Sequence, residues 1–230
     1  MTNEFFALSL KGTERDNNQD FSINGKREDD KELWIIADGA TCAKNSGYFV
    51  SEFCRRFLES WLTRKPLVDI ADISPLLKEI HEQIRRDFIL SKGCVLLLIV
   101  DPQNEEQHCF YLGDCRLGTV YENDTFSNIN WATYPHSLTY TEMGANEEVL
   151  CESPNRHILF NILNARRFEQ PTHIILRLDL RKPIILATDG FWSLFPARLP
   201  RNLNQDEIKK YFNENIWTDD CSVLIRIPSI

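Results

Sequence analysis

Leu33-Trp34-Ile35-Ile36-Ala37 runs straight into Asp38-Gly39, and Ile184-Ile185-Leu186-Ala187-Thr188 runs in the same way into Asp189-Gly190. A short continuous apolar run reads as a strand covered on both faces. A carboxylate at the end of such a strand is costly to bury unless something positive compensates it, and a divalent metal suits oxygen ligands. Two further acidic positions share this setting: Asp114 after Phe110-Tyr111-Leu112-Gly113, and Asp219-Asp220 before Ser222-Val223-Leu224-Ile225. Four strand-edge carboxylates from distant parts of the chain outline a hard-cation site, so the chain reads first as a metalloenzyme.

With 230 residues, 43% of them apolar, and no repeat, low-complexity tract or dividing linker, the chain is expected to form one domain over 1–230. Its 26 basic and 34 acidic residues give a net charge of -8, which argues against a sequence-independent grip on nucleic acid. Met1-Thr2-Asn3-Glu4-Phe5 shows no basic-then-apolar leader, and no apolar run reaches the length of a membrane span, so a soluble cytoplasmic protein is expected. Seven cysteines without a Cys-x-x-Cys pair signal neither a zinc knuckle nor a disulfide framework, and read as reduced thiols used as small core residues.

Phe5 to Leu10 reads as an opening strand, Phe21-Ser22-Ile23 as a short one, and the mixed-charge tract Lys26 to Glu32 as a solvated hairpin loop. From about Ala43 to Leu62, Phe49, Phe53, Phe57 and Trp61 recur at fourfold spacing, which predicts a helix packed on a sheet. A second helix is expected from Ser74-Pro75, as cap and first-turn proline, with Leu77, Ile80, Ile84 and Phe88 on one face. Cys94–Val100, Gln107–Leu112 and Arg116–Tyr121 read as a meander. Residues 122–155 read as mostly irregular, with a short helix near Thr139 to Gly144. Strands at Thr172–Arg177, Pro183–Thr188 and Ser222–Ile227 and a helix near Gln205 to Asn213 complete an α+β pattern.

Taken together, Arg15-Asp16-Asn17-Asn18-Gln19-Asp20, Ala37-Asp38-Gly39, Gly113-Asp114-Cys115-Arg116, Ala187-Thr188-Asp189-Gly190-Phe191-Trp192 and Asp219-Asp220-Cys221-Ser222 resemble the motifs of the metal-dependent type 2C (PPM) Ser/Thr protein phosphatases, in that family's order. Pro135-His136-Ser137-Leu138 sits where the family commonly has Asp-His-Ser-Leu. The resemblance implies a four-layer αββα sandwich, two central antiparallel sheets flanked by helices, with metals at one end of the cleft. It implies that Asp38 bridges two Mg²⁺ or Mn²⁺ ions, that Gly39 adds its backbone carbonyl to one, and that Asp189 and Asp219 hold the other. Asp114 with Asp189 matches a third, weaker site. Asp20 matches a carboxylate that accepts hydrogen bonds from metal-bound water, and Gln19 is neutral where Glu is frequent. Arg15 matches the phosphate-binding arginine, whose planar fork suits two phosphoryl oxygens; the alternative is a surface salt bridge with Glu14 or Asp16.

The implied activity is hydrolysis of phosphoserine and phosphothreonine on proteins by a metal-bridged water, opposing a Ser/Thr kinase. The five histidines lie outside the catalytic motifs, which leaves a metal-bound water as general acid; His81 is expected at the surface or boundary, and Arg156 in a structural ion pair. The sequence departs from the family in Asp38-Gly39-Ala40-Thr41-Cys42, which lacks further glycines, and in Gly93-Cys94-Val95 where threonines are usual. Two other functions remain open at this level: a catalytically weak phosphoprotein-binding regulator, and a two-metal nuclease, against which the acidic balance counts.

Overall fold

A computed structural model describes residues 4–122, 126–143, 146–194 and 196–228. Met1, Thr2, Asn3 and Gly144 of the sequence reading lie outside them. The strands are β1 (Glu4–Leu10), β2 (Asp20–Lys26), β3 (Glu32–Gly39), β4 (Lys92–Val100), β5 (Gln107–Leu112), β6 (Arg116–Glu122), β7 (Phe126–Trp131), β8 (Leu163–Asn164), β9 (Thr172–Leu176), β10 (Ile184–Ala187), β11 (Arg198–Pro200) and β12 (Cys221–Ile227). The helices are α1 (Ser46–Thr63), α2 (Ile73–Ile84), α3 (Leu138–Met143), α4 (Glu147–Glu152), α5 (Asp189–Trp192) and α6 (Gln205–Glu214). One antiparallel sheet runs β1-β12-β10-β6-β7-β11, and the other runs β2-β3-β4-β5-β9 with β8 beside β4.

Alternation along each central strand builds the layers. In β3, Leu33, Ile35 and Ala37 meet Phe49, Phe53 and Phe57 of α1 and Leu77 and Ile80 of α2. Trp34 and Ile36 point the other way, into a core shared with Leu117, Ile184, Leu186 and Leu224 of the first sheet. The far face of that sheet, with Ile185, Ala187, Val223 and Ile225, is covered by Phe191 of α5 and Ile208 and Phe212 of α6. The result is the expected four layers. No helix among the described residues is long and apolar enough to cross a membrane.

The meander expected from β4 through β6 does not form: β4 and β5 pair, but β6 crosses to the other sheet and pairs with β7 and β10. Both sheets are antiparallel and buried on the cleft side, so strand spacing alone carries no sign of the crossover, which occurs at Gly113 with φ of 90°. The stretch read as irregular contains β7 and α4, the latter capped by Asn146, whose side chain accepts from the Val149 amide at 3.2 Å. Ser74 is not the cap of α2, which starts at Ile73.

Two polar residues expected near solvent are buried. Arg27, in the hairpin tract, is 6% exposed; its guanidinium grips Asp29 at 2.9 and 2.6 Å, donates to the Val68 carbonyl at 2.8 Å, and lies 4.5 Å from the Trp61 ring. His81 is fully buried, bonded at 2.9 Å to the Asn164 carbonyl and packed edge-on to Phe168. Arg27→Ala should therefore lower stability by about 2 kcal/mol at pH 7, less than for a fully buried pair because Asp29 stays partly exposed. The Arg27 side chain holds the Asp29 carboxyl below its ordinary pKa. Its contribution is present above the unfolded value and lost as pH falls through the folded one, so the gap between wild type and variant in urea denaturation should narrow as pH falls below the ordinary carboxylate range. A constant gap would mean packing on Trp61 carries the effect.

Candidate active site

Because β2 and β3 pair in register, Asp20 stands directly opposite Asp38. Phe21 and Ile23 of β2 pack toward α1, so Asp20 shares the inter-sheet side with Asp38, which follows Trp34 and Ile36 in alternation. Like charges directly opposite on a sheet repel. Asp114, on the crossover between sheets, and Asp189, at the start of α5, are 4% and 8% exposed. Burial, then Asp20, Asp189, Asp114 and Asp219, push the Asp38 carboxyl well above its ordinary range. Burial first, and Asp189 and Asp220 besides, push Asp20 up to about 8 against hydrogen bonds from Ser222 and Thr188. Burial followed by Asp189 pushes Asp114 up to about 7. Side chains from positions 20, 38, 114 and 189 are thus brought within electrostatic reach at one end of the cleft.

The neighbouring backbones are tied to each other there. Thr188 donates its hydroxyl to Asp20 Oδ2 at 2.8 Å and accepts from the Ser222 amide at 3.0 Å, linking β2, β10 and β12. Asp220 accepts from the amides of Gly12 and Gln19 at 2.9 and 2.8 Å, which ties the segment carrying Arg15 to β12. The glycines after both site aspartates mark close backbone approaches: a Cβ on Gly39 would lie 2.5 Å from the Gly47 amide nitrogen, and one on Gly190 only 1.9 Å from the Asp220 carbonyl oxygen.

Asp219 faces Arg15, not the other carboxylates alone. Arg15 Nε and Nη2 donate to its two oxygens at 2.6 and 2.5 Å, a fork-to-fork pair, and Glu14 and Asp16 are not its partners. Arg15 lies between two pockets. One, of about 640 Å³, is shared with Asp20, Tyr48 and Arg55; the other, of about 350 Å³, with Arg156, His157, Gly190 and Asp219.

Several contacts around the carboxylates are not assigned by motif reading. His157, expected outside the site, places Nδ1 3.6 Å from Asp189 Oδ2. Arg156 is not in an ion pair among the described residues; it donates to the Cys151 carbonyl at 3.4 Å, and its Nε is buried and unpartnered. Arg116, fully buried, binds Glu147 through both terminal nitrogens at 2.6 and 2.9 Å and lies between the Trp131 and Trp192 rings. Trp192 Nε1 in turn donates to the Asp114 carbonyl at 2.8 Å, so this stack fixes the Asp114 loop. The Thr-Asp and Asp-Cys-Arg adjacencies were the available signals for Thr188 and Arg116; nothing local marked His157. Six of the seven cysteines are buried free thiols as expected, and Cys42 is exposed.

A cation fits the chemistry of this donor set. Asp20 Oδ1 and Asp114 Oδ1 are buried with no hydrogen-bond partner, a costly condition for carboxylate oxygens that a divalent ion would relieve. Among the described residues, no three His, Cys, Asp or Glu side chains are already drawn together tightly enough to enclose an ion.

No family model matches the sequence, and no curated protein does either. Solved structures do. The chain is similar to the Ser/Thr phosphatase Stp1 from Staphylococcus aureus at 17% identity, over 100% of this chain and 96% of that one, with a TM-score of 0.81. It is similar to the PPM Ser-Thr phosphatase MsPP from Mycobacterium smegmatis, solved in complex with cacodylate, at 14% identity over 98% of each chain and a TM-score of 0.76. It is also similar to the catalytic domain of the Ser/Thr phosphatase PstP in complex with two manganese ions, at 16% identity over 98% of this chain and 97% of that one, with a TM-score of 0.65. The fold is therefore that of the PPM phosphatases, as the motif order implied.

Proposed function

We propose that this chain is a metal-dependent phosphatase that hydrolyses phosphoserine and phosphothreonine on protein substrates, opposing a Ser/Thr kinase. The observation that carries the reading is the convergence of buried, mutually repelling carboxylates on a cleft end with Arg15 at its mouth, in a fold shared with Ser/Thr phosphatases. Asp38, the Gly39 carbonyl, Asp189 and Asp219 would hold two Mn²⁺ or Mg²⁺ ions, with Asp114 and Asp189 available to a third. Such a pair supplies a nucleophile at neutral pH and neutralises phosphoryl charge.

The chain's own residues do the rest. Asp20, fixed by Thr188, stands opposite Asp38 and accepts hydrogen bonds from water in the cleft. Arg15 receives two phosphoryl oxygens with the fork it now extends to Asp219. A cation held by Asp219 would therefore compete with the Arg15 guanidinium for that carboxylate and would leave Arg15 free for substrate.

Arg15→Gln should show both sides of this role. Mn²⁺ affinity, by calorimetry, is expected to rise roughly fivefold, the worth of a partly exposed ion pair, while phosphopeptide turnover falls about a hundredfold, as when one preorganised donor to an oxyanion is lost. Arg15→Lys keeps the charge but not the fork and should not restore turnover. Unchanged Mn²⁺ affinity would remove the competition. The function itself is tested on phosphopeptide, para-nitrophenyl phosphate and its bis-ester: metal-dependent monoester turnover supports it, phosphopeptide binding without turnover favours a regulator, and preference for the diester favours a nuclease.

A further inference from the structure

The cavity of about 640 Å³ beside Arg15 has a second wall that the proposed chemistry leaves unused. That wall is the opening turns of α1, from which Tyr48, Ser51 and Arg55 line the space. A Cβ on Gly39 would meet the Gly47 amide nitrogen, so α1 begins against the turn that follows Asp38. Nη1 of Arg55 lies 3.5 Å from Ser51 Oγ, one turn nearer that beginning, so this exposed side chain folds back toward the carboxylates. Its guanidinium sits 4.7 Å from the centre of the Phe21 ring, on the residue after Asp20. Such stacking fixes the plane of the fork and leaves its donors free at the edge. The fork has no anion of its own. Arg55 makes no ion pair among the described residues, Glu52 is taken by Arg56 at 2.6 Å, and the first turn of α1 carries no acidic side chain. Glu14 and Asp16, which also line the cavity, belong to the other wall, in the segment that carries Arg15.

We propose that Arg55 sets substrate preference by receiving a second anionic group, a carboxylate or a second phosphate, two or three residues away from the phosphoserine or phosphothreonine held by Arg15. This rests on the reading of the cleft as a phosphopeptide site. A planar fork of donors matches the paired oxygens of either anion, whereas a neutral or basic side chain at the same place would leave it unsatisfied or repelled. The spacing follows from the helix. Gly47 touches the Asp38 turn and Ser51 marks the level the guanidinium reaches, a separation of about 6 Å along the axis. An extended peptide advances about 3.3 Å per residue, so two or three residues cover that distance.

The test measures binding, by fluorescence anisotropy in Mn²⁺, of labelled peptides that carry a non-hydrolysable phosphonate in place of phosphoserine, so that affinity is read whether or not turnover occurs. The peptides differ only at the second and third positions on either side, which hold Gln, Glu, Lys or a second phosphonate. Wild type should bind the Glu or the doubly phosphonate peptide about fivefold more tightly than the Gln peptide, the upper end for a partly exposed ion pair. A gain from the second phosphonate alone assigns the subsite to phosphate; a gain from both assigns it to either anion. Arg55→Gln should bring the ratio to about one, and Arg55→Glu should turn it in favour of Lys. Because each ratio is taken within one variant, a general loss of affinity does not imitate the effect. The same preference in wild type and Arg55→Gln, no preference in wild type, or no binding of any peptide would overturn the proposal. Turnover of the matching phosphoserine peptides separates the two readings: preference without turnover defeats the phosphatase and leaves the subsite, whereas turnover without preference defeats the subsite alone.

Discussion

Asp38→Asn should abolish turnover while making the metal-free protein more stable. Because Asp38 is among the residues that would hold the ions, removing its charge is expected to cost roughly a thousandfold or more in kcat/KM. The stability effect follows from the repulsion around it. Folded-state pKa values of Asp38, Asp20 and Asp114 all lie above the ordinary value of 3.8, at about 8 for Asp20 and about 7 for Asp114. A carboxyl whose pKa rises on folding contributes stability that is fully present below its unfolded pKa and lost as pH climbs through the folded one. In chelator, wild type should therefore weaken between about pH 4 and pH 8 by an amount on the order of a few kcal/mol. The substitution removes one member of the repelling set, so the variant should be the more stable at pH 8, with the gap closing toward pH 4. Mn²⁺ should invert the order: at a hundredfold excess over Kd it adds about 2.7 kcal/mol to wild type and far less to the variant. Thermal unfolding across pH, with and without Mn²⁺, reads all of this. Loss of activity without a pH-dependent gain in metal-free stability would mean that Asp38 is not electrostatically strained.

What the chain discloses before folding follows the same division between local pattern and long-range geometry. The buried strands β3 and β10 were legible because both faces are covered, which leaves an unbroken apolar run, and α1 was legible from the Phe49, Phe53, Phe57 and Trp61 stripe. The crossover of β6 was not, since strands of both sheets share one cleft-side composition and register is set by pairing partners remote in sequence. Asp38, Asp114 and Asp189 stand out in the sequence because a carboxylate ending an apolar strand is anomalous. The approach of His157 to Asp189 was not legible because its segment has no periodic pattern and meets Asp189 only through the return of the chain. Arg27 and His81 look like surface residues in any local window; beyond the Asp29 next to Arg27, it is Val68, Trp61 and Asn164, tens of residues away, that make their burial tolerable.

Gly190→Ala should unfold the site from the opposite direction, by steric pressure. Gly190 does not need an unusual backbone angle; what it needs is the missing Cβ, because α5 crosses the entry to β12 so closely that the added carbon would sit 1.9 Å from the Asp220 carbonyl oxygen and 3.2 Å from the Cys221 Cα. Backbone, unlike the tip of a side chain, cannot turn aside. Either α5 withdraws, exposing the buried Phe191 and Trp192 and loosening the Trp192 bond to Asp114, or β12 shifts and carries with it Asp219, Asp220 and the amides of Gly12 and Gln19 that Asp220 holds. Both routes cost packing and site geometry together, so a loss of about 3 kcal/mol, at the upper end for overpacking, is expected alongside weakened Mn²⁺ binding. Gly25→Ala is the control: its Cβ would approach the Leu58 Cδ1 at 2.8 Å, the flexible end of a side chain that can rotate, and about 1 kcal/mol or less is expected. Urea denaturation and Mn²⁺ calorimetry of the two variants should separate them clearly. Equal stability would show that the approach of α5 to β12 is not what demands glycine after Asp189.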